Sequence, residues 1–335
     1  MFVIKRFIAI FIARNREFFR DRAALTWNLA FPVLLIVGFS IVFSGDSRNQ
    51  LKVGLLNESS VPQSLSSIKY TEFLFYQDQN DAQNKVAQHQ LDLLLDWKNK
   101  IYWINDTSPN GFLAENVIQN HTPKLKKESI SGEPIRYIDW VIPGILGMNI
   151  MFSCLFGVGY VIVRYRKSGV LKRLNATPIT AFEFIAAQIV SRLIIVTSIS
   201  VVIFLSTWWT IGFMVKGSLL LLLLILVLGT LCLIALGLMI ASRSQSEELT
   251  GGLLNFASWP MMFLSGVWFS LEGSPEIIQF IAQWLPLTHF VNATRAIMTE
   301  GASFMSVLDN ILALILMTSI FFILSAFSFN WGKSR

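Results

Sequence analysis

From Ser218 to Ala241 the chain reads SLLLLLLILVLGTLCLIALGLMIA, 24 residues without a charge. About 18 such residues suffice to mark a membrane-spanning helix by length. Comparable runs occur at Ala23–Phe43, Trp140–Val163, Phe184–Ile211, Gly251–Ser270 and Phe304–Phe329. Only 14% of the 335 residues are charged, against roughly 25% in soluble domains. These features describe an integral membrane protein with six expected spans. Ala23–Phe43 is read as a span because signal-peptide cores run to only about 7–15 residues, and no small-residue cleavage site follows.

The net charge of +6 would suit a nucleic-acid binder, but the cations sit at the ends of apolar runs. One side of the expected topology collects Lys5, Arg6, Arg14, Arg16, Arg20 and Arg22, then Arg164, Arg166, Lys167, Lys172 and Arg173, then Arg243, Lys333 and Arg335. The short loops of the other side hold Lys216 and Arg295. The positive-inside rule makes the first side cytoplasmic, with both termini there and no nucleic-acid partner. Trp208, Trp209, Trp268 and Trp284 fall near the expected outer ends, as an aromatic belt does.

Residues 1–22 read as an interfacial amphipathic helix. Phe2, Val3, Ile4, Phe7, Ile8 and Phe11 form its apolar face, and Lys5, Arg6, Arg14 and Arg16 its edges. The first span covers 23–43, and a five-span membrane domain covers 137–335. Within that domain, 273–301 is apolar but interrupted by Pro275 and Pro286. It reads as a re-entrant helical hairpin, tolerable only where protein covers the freed backbone groups.

Between 44 and 136 the composition becomes that of a soluble, extracytoplasmic α/β domain. Strands are expected at LKVGLL, FLFYQ, LDLLLDW and KIYWIN, and helices at DAQNKVAQHQ and LAENVIQNH, in the rough order β-α-β-α-β-β-α. His89 and His121 are isolated and read as structural. Asn57-Glu58-Ser59 and Asn105-Asp106-Thr107 match a glycosylation pattern that has no meaning in a bacterium. Cys154 and Cys232 lie inside apolar runs as packing residues, with no metal or disulfide framework.

The loop RYRKSGVLKRLNATPIT, Arg164–Thr180, is the exception in an oily chain. Val170, Leu171 and Leu174 form one stripe of a short helix, with Lys172 and Arg173 off it. Pro178 breaks the helix, and Thr180 with Glu183 is a capping box for the next span. The bland reading is a topology signal lying on anionic lipid. The sharper one is a docking element for a cytoplasmic partner.

Here the chain resembles the membrane subunits of ABC transporters of the ABC-2 type, over nearly its whole length. The resemblance is carried by Arg20-Asp21-Arg22, by Asp139-Trp140-Val141-Ile142-Pro143-Gly144-Ile145, and by Arg166-Lys167-Ser168-Gly169-Val170-Leu171-Lys172-Arg173-Leu174-Asn175-Ala176-Thr177-Pro178. It continues in Ser265-Gly266-Val267-Trp268-Phe269 with Pro275, then Leu285-Pro286-Leu287-Thr288-His289-Phe290 and Arg295. The family often has acids where Arg166 and Lys167 stand.

The resemblance implies an ATP-driven exporter of a bacterial inner membrane. It implies a separate ABC ATP-binding subunit, a second copy of this chain or a paralogous permease, and an optional periplasmic adaptor. The chain itself reads as no enzyme: there is no G-x-x-x-x-G-K-[ST] loop, and Leu249-Thr250-Gly251-Gly252 is only loosely like an ATPase signature. No cofactor is expected here, with ATP and Mg held by the partner subunit. The resemblance marks 164–178 as the coupling helix, carried by Arg166, Lys167, Gly169, Val170, Leu171, Lys172, Arg173, Leu174, Ala176 and Pro178.

Arg192 lies about 12 Å into its span from Phe184. With Pro286, His289 and Arg295 it is a candidate for a substrate path or gate, since ionisable groups in spans are functional candidates by default. The rivals are a mechanotransmission subunit that moves no substrate, a membrane protease using Ser265 and His289, and a passive channel.

Overall fold

A computed structural model describes residues 2–20, 26, 29–37, 51–57, 61–62, 65, 68, 70–121, 125–132, 135–243, 246–271 and 274–328. The chain divides into two compact units, Phe43–Tyr137 and Met1–Val42 with Ile138–Arg335.

The smaller unit is a five-stranded sheet with a helix on each face. Its elements are β1 (Leu51–Leu56), β2 (Thr71–Tyr76), α2 (Gln79–Ala87), β3 (Leu93–Asp96), β4 (Ile101–Asn105), α3 (Pro109–His121) and β5 (Lys126–Ile130). Strand order is β2-β1-β3-β4-β5, parallel except for the antiparallel pair β3–β4. Alternation along the strands makes two cores. Val53, Leu55, Leu93, Leu95, Tyr102 and Ile104 pack with Ala114 and Ile118 of α3. Leu56, Leu94 and Trp103 pack with Ala82 and Val86 of α2.

The expected element order is corrected on two points. No described residue between β1 and β2 is helical, and a fifth strand follows the last helix. That strand, KKESI, is a half-exposed edge held by polar contacts, so it carries no apolar alternation to read. The Asn105 acceptor pattern is also structural. Asn105 is buried, and its Nδ2 donates to the carbonyls of Ala87 (2.9 Å) and Gly132 (3.1 Å).

The β5 edge is tied by Lys127 to Asp106 (2.9 Å) and Glu115 (3.0 Å). Hydrogen bonds from Ser129 and Lys127 hold the Asp106 carboxyl below its usual range. A depressed folded-state pKa contributes stability above the unfolded value and loses it as pH falls through the folded value. Hydrogen exchange of the β5 amides in the full chain should therefore quicken slightly as pH falls below the ordinary carboxylate pKa of about 4. Asp106→Asn should remove that dependence, and an unchanged profile would show that Asp106 does not hold this edge.

The helical unit opens with α1 (Phe2–Arg20), followed by a helical stretch at 29–37. Then come α4 (Tyr137–Lys167), α5 (Val170–Asn175), α6 (Ala181–Ile211), α7 (Leu219–Arg243), α8 (Glu247–Leu264), α9 (Glu276–Ala282), α10 (Pro286–Arg295) and α11 (Leu308–Ser328). Among the described residues, four segments are long and apolar enough to cross a membrane: Tyr137–Lys167, Phe182–Ile211, Leu219–Ser242 and Met305–Ser328.

The six expected full spans thus meet four of sufficient length. The fifth, expected at Gly251–Ser270, stops at Leu264, because Ser265 and Gly266 (φ 67°) turn the chain. At 18 residues, α8 rises about 27 Å, short of a hydrocarbon core of about 30 Å. Much of the first, Ala23–Phe43, lies outside the described residues; only 26 and 29–37 are described, as helix.

α4 is the central strut, with 72% of its most apolar window buried, against 17% for Met305–Ser328. Small residues make this closeness possible. A Cβ on Gly144 would stand 2.6 Å from the Val267 carbonyl oxygen, and one on Gly147 would stand 2.9 Å from the Phe290 ring. The poorly buried α11 instead shows Leu312, Ile315, Leu316, Ile323 and Leu324 outward, a surface suited to lipid. Cys154 and Cys232 are free and buried in this core.

Candidate functional site

The sequence 164–180 folds as two helix ends around one short helix. Gly169 adopts φ 73°, a left-handed conformation that disfavours a side chain, and it starts α5. Ala176 ends α5, and Thr177 Oγ1 donates to the Leu174 carbonyl (2.6 Å). The capping box at the start of α6 is formed: Glu183 N donates to Thr180 Oγ1 (3.2 Å), and Thr180 N to Glu183 Oε2 (2.7 Å). Arg6 of α1 donates to the Pro178 carbonyl. At its other end Gly169 N donates to the Arg166 carbonyl (3.3 Å), so the short helix is anchored at both ends by the chain's own bonds.

This anchoring redistributes the expected coupling residues. Leu171, expected on the coupling helix's docking stripe, has 0% exposure and packs within this chain, so it presents no surface to a partner. Val170 and Leu174 remain half-exposed, and Lys172 and Arg173 are exposed. Arg166 also turns inward, its guanidinium donating to the carbonyls of Ala241 (3.2 Å) and Ser242 (3.1 Å). It thereby serves the carbonyl end of α7, where cations are favoured. Lys167 pairs with Glu247 at 3.6 Å. The two positions where the family often has acids are thus occupied by cations that brace the α7–α8 connection.

Arg192 and the hairpin residues do not converge. Arg192 Nε donates to the Ser153 carbonyl (3.0 Å), and Nη2 donates to the same oxygen. Arg295 Nε donates to the Trp140 carbonyl (3.2 Å) and Nη2 to the Gly266 carbonyl (2.7 Å), its guanidinium 3.8 Å from the Trp140 ring centre. Ser153 and Trp140 lie 13 residues apart on α4, about 20 Å along it. The candidate path residues therefore occupy two levels.

Pro286 is buried at the first turn of α10, and Pro275 precedes α9. His289 Nε2 lies 2.8 Å from the Gln283 carbonyl, which can only accept, and Nδ1 lies 3.1 Å from Asn310 Oδ1. Ser265 Oγ accepts from Thr288 Oγ1 (3.0 Å). Ser265 and His289 thus hold other partners, and no hydrogen bond joins them as nucleophile and base.

At the Lys167 end of α4 the structure assembles a cavity of about 750 Å3 between α1, Phe31, α4 and Arg192 of α6. Phe152, Phe156 and Tyr160 form one wall as a ladder, with ring centres 5.8 and 5.7 Å apart. Arg14, Glu17, Arg164 and Arg192 supply its charges. Arg14 Nη1 contacts Glu17 Oε2 (2.7 Å) and Tyr165 Oη (2.9 Å), and Tyr165 also donates to Glu17. Sequence reasoning missed this cluster. The signals were present, an Arg14/Glu17 pair three residues apart and aromatics four apart at 152, 156 and 160. Nothing local indicates that α1 lies against α4 and α6.

A sequence profile of the family described as ABC-2 family transporter protein matches residues 22–327. The chain belongs to this family. It is similar to the inner membrane transport permease YhhJ of Escherichia coli K12, 28% identical over 185 residues, covering 54% of this chain and 49% of YhhJ. It is also similar to the probable multidrug ABC transporter permease YbhR of the same organism, 24% identical over 246 residues, 68% of this chain and 64% of YbhR. With the probable multidrug ABC transporter permease YbhS it shares 21% identity over 99% of this chain and 97% of YbhS. The match to YhhJ thus spans about half that relative's length.

Proposed function

We propose that this chain is the membrane-spanning permease subunit of an ATP-driven exporter, energised by a separate ATP-binding subunit that docks on α5. The observation that carries the reading is a six-residue, basic-apolar helix, exposed on one side and anchored at both ends, in a chain of the ABC-2 family. A helix so anchored transmits displacement to α4 and α6 instead of bending alone. Val170 and Leu174 enter the partner's groove, and Lys172 and Arg173 meet its acidic rim.

Two such chains, identical or paralogous, form the pathway, and ATP with Mg stays in the partner subunits. α8 with the turn at Ser265–Gly266, and the hairpin α9–α10, complete a six-crossing topology. Both termini then lie on the cytoplasmic side of a bacterial inner membrane, and the α/β unit lies outside, where a periplasmic adaptor can join.

Rim charges chiefly set encounter rate. Lys172→Glu combined with Arg173→Glu is expected to slow association with the ATP-binding subunit about tenfold at low salt, with the difference shrinking at high ionic strength. Association kinetics on the purified chain measure this. Equal rates at every salt concentration would place the docking site elsewhere. Export from vesicles lacking the ATP-binding subunit would instead favour a passive channel.

A further inference from the structure

The cavity beside α1 has a charge imbalance that its described residues do not settle. Glu17, the one carboxylate among the described residues of its wall, is engaged by Arg14 and Tyr165. Arg192 and Arg164 have no carboxylate partner among the described residues. Arg192 is 8% exposed and bonds only the Ser153 carbonyl, with its guanidinium 5.5 Å from the Phe18 ring centre. A guanidinium withdrawn from water in a membrane-spanning unit, with no counter-ion, is costly and calls for an anion. Of the nine uncharged lining residues, five are aromatic: Phe18, Phe31, Phe152, Phe156 and Tyr160. A small inorganic anion satisfies the charge and leaves that wall wet. A molecule with an anionic head and an apolar tail satisfies both.

The packing also shows that Arg192 is placed rather than merely tolerated. A Cβ on Gly157 would overlap the Arg192 guanidinium, so glycine at that position makes room for it. Of the α4 residues that line the cavity, Arg164 lies nearest Lys167 and is exposed.

We propose that this cavity binds an anionic membrane amphiphile, its phosphate or carboxylate head at Arg192 with Arg164 at the mouth, and its acyl chain along the Phe152–Phe156–Tyr160 ladder. Entry from the inner leaflet rests on the permease reading above; the binding itself does not. A charge-assisted hydrogen bond is the strong contact here, and the ladder supplies the non-specific part.

The full chain with its ATP-binding subunit is reconstituted in phosphatidylcholine vesicles containing phosphatidylglycerol, then extracted and analysed for retained lipid by native mass spectrometry. The native chain is expected to retain phosphatidylglycerol over phosphatidylcholine by about tenfold or more. Arg192→Gln should abolish the preference, and Arg192→Lys should keep most of it. Val161→Trp, which narrows the cavity while keeping both arginines in the chain, should reduce retention of both lipids. If Arg192→Gln does not assemble, Val161→Trp decides alone.

Equal retention of the two lipids by the native chain, or native retention in Val161→Trp, would overturn the proposal. Full displacement of the lipid by glycerol phosphate, which has the head and no tail, would assign the site to a soluble anion and would also overturn it. Loss of the ATP-binding subunit with lipid retention intact would sink the permease reading and leave this one standing.

Discussion

A chain carrying Asp at both Val170 and Leu174 is expected to fold and insert normally, yet lose its ATP-binding subunit and all ATP-driven export. Both side chains are half-exposed on α5, so the free chain has little to lose by the exchange. In a complex, the loss of two apolar anchors and the burial of two carboxylates both oppose association. The expected cost is about 3–5 kcal/mol, a weakening of at least about a hundredfold. Co-purification and export measured on the same preparation test this. Retained association at native strength would remove α5 as the docking element.

Leu171→Asp provides the contrast. That side chain has 0% exposure, so the charge would be driven into the chain's own packing. Its unfolding midpoint should fall before association is even measured. Two neighbouring positions on one helix thus separate docking from folding.

The second large effect is expected at Arg295. Arg295→Leu removes the donors to the Trp140 and Gly266 carbonyls and the stacking on the Trp140 ring. The two carbonyls belong to different elements, which the one guanidinium joins. Gly266 lies in the left-handed turn that ends α8, and Trp140 lies in the first turns of α4. Breaking such a charged, partly buried network costs about 3–5 kcal/mol. Thermal unfolding of the reconstituted protein, with hydrogen exchange across 286–300, measures it. Arg295→Lys should recover roughly half, because a single ammonium lacks the fork that reaches two carbonyls. A native midpoint for Arg295→Leu would show that the hairpin is held by packing alone.

The resemblance groups Arg295 with a motif, and the motif reads as a gate. Its bonds show a clamp, joining the start of α4, the end of α8 and the hairpin. The two short hairpin helices were legible because Pro275 and Pro286 interrupt the run in the sequence itself. The strand at Lys126–Ile130 was not, because an edge strand held by Lys127, Asp106 and Glu128 has no apolar period. The end of α8 at Leu264 was also missed. Hydropathy continues through Val267 and Trp268, while the turn is set by the backbone at Gly266.

The sequence alone determined that this chain lives in a bilayer, where its apolar runs lie, that a soluble α/β unit interrupts them, and that Thr180 caps a helix. Each of these is a sum over neighbouring residues, of transfer free energies or of one capping geometry, so it can be read in place. Only the tertiary structure decided that Leu171 faces inward, that Arg166 serves α7, that Arg192 and Arg295 sit on different levels of α4, and that α1 walls a cavity. Those outcomes depend on pairs 39, 75 and 155 residues apart. A buried guanidinium takes whichever acceptor the packing brings within 3 Å, and no local pattern names that acceptor.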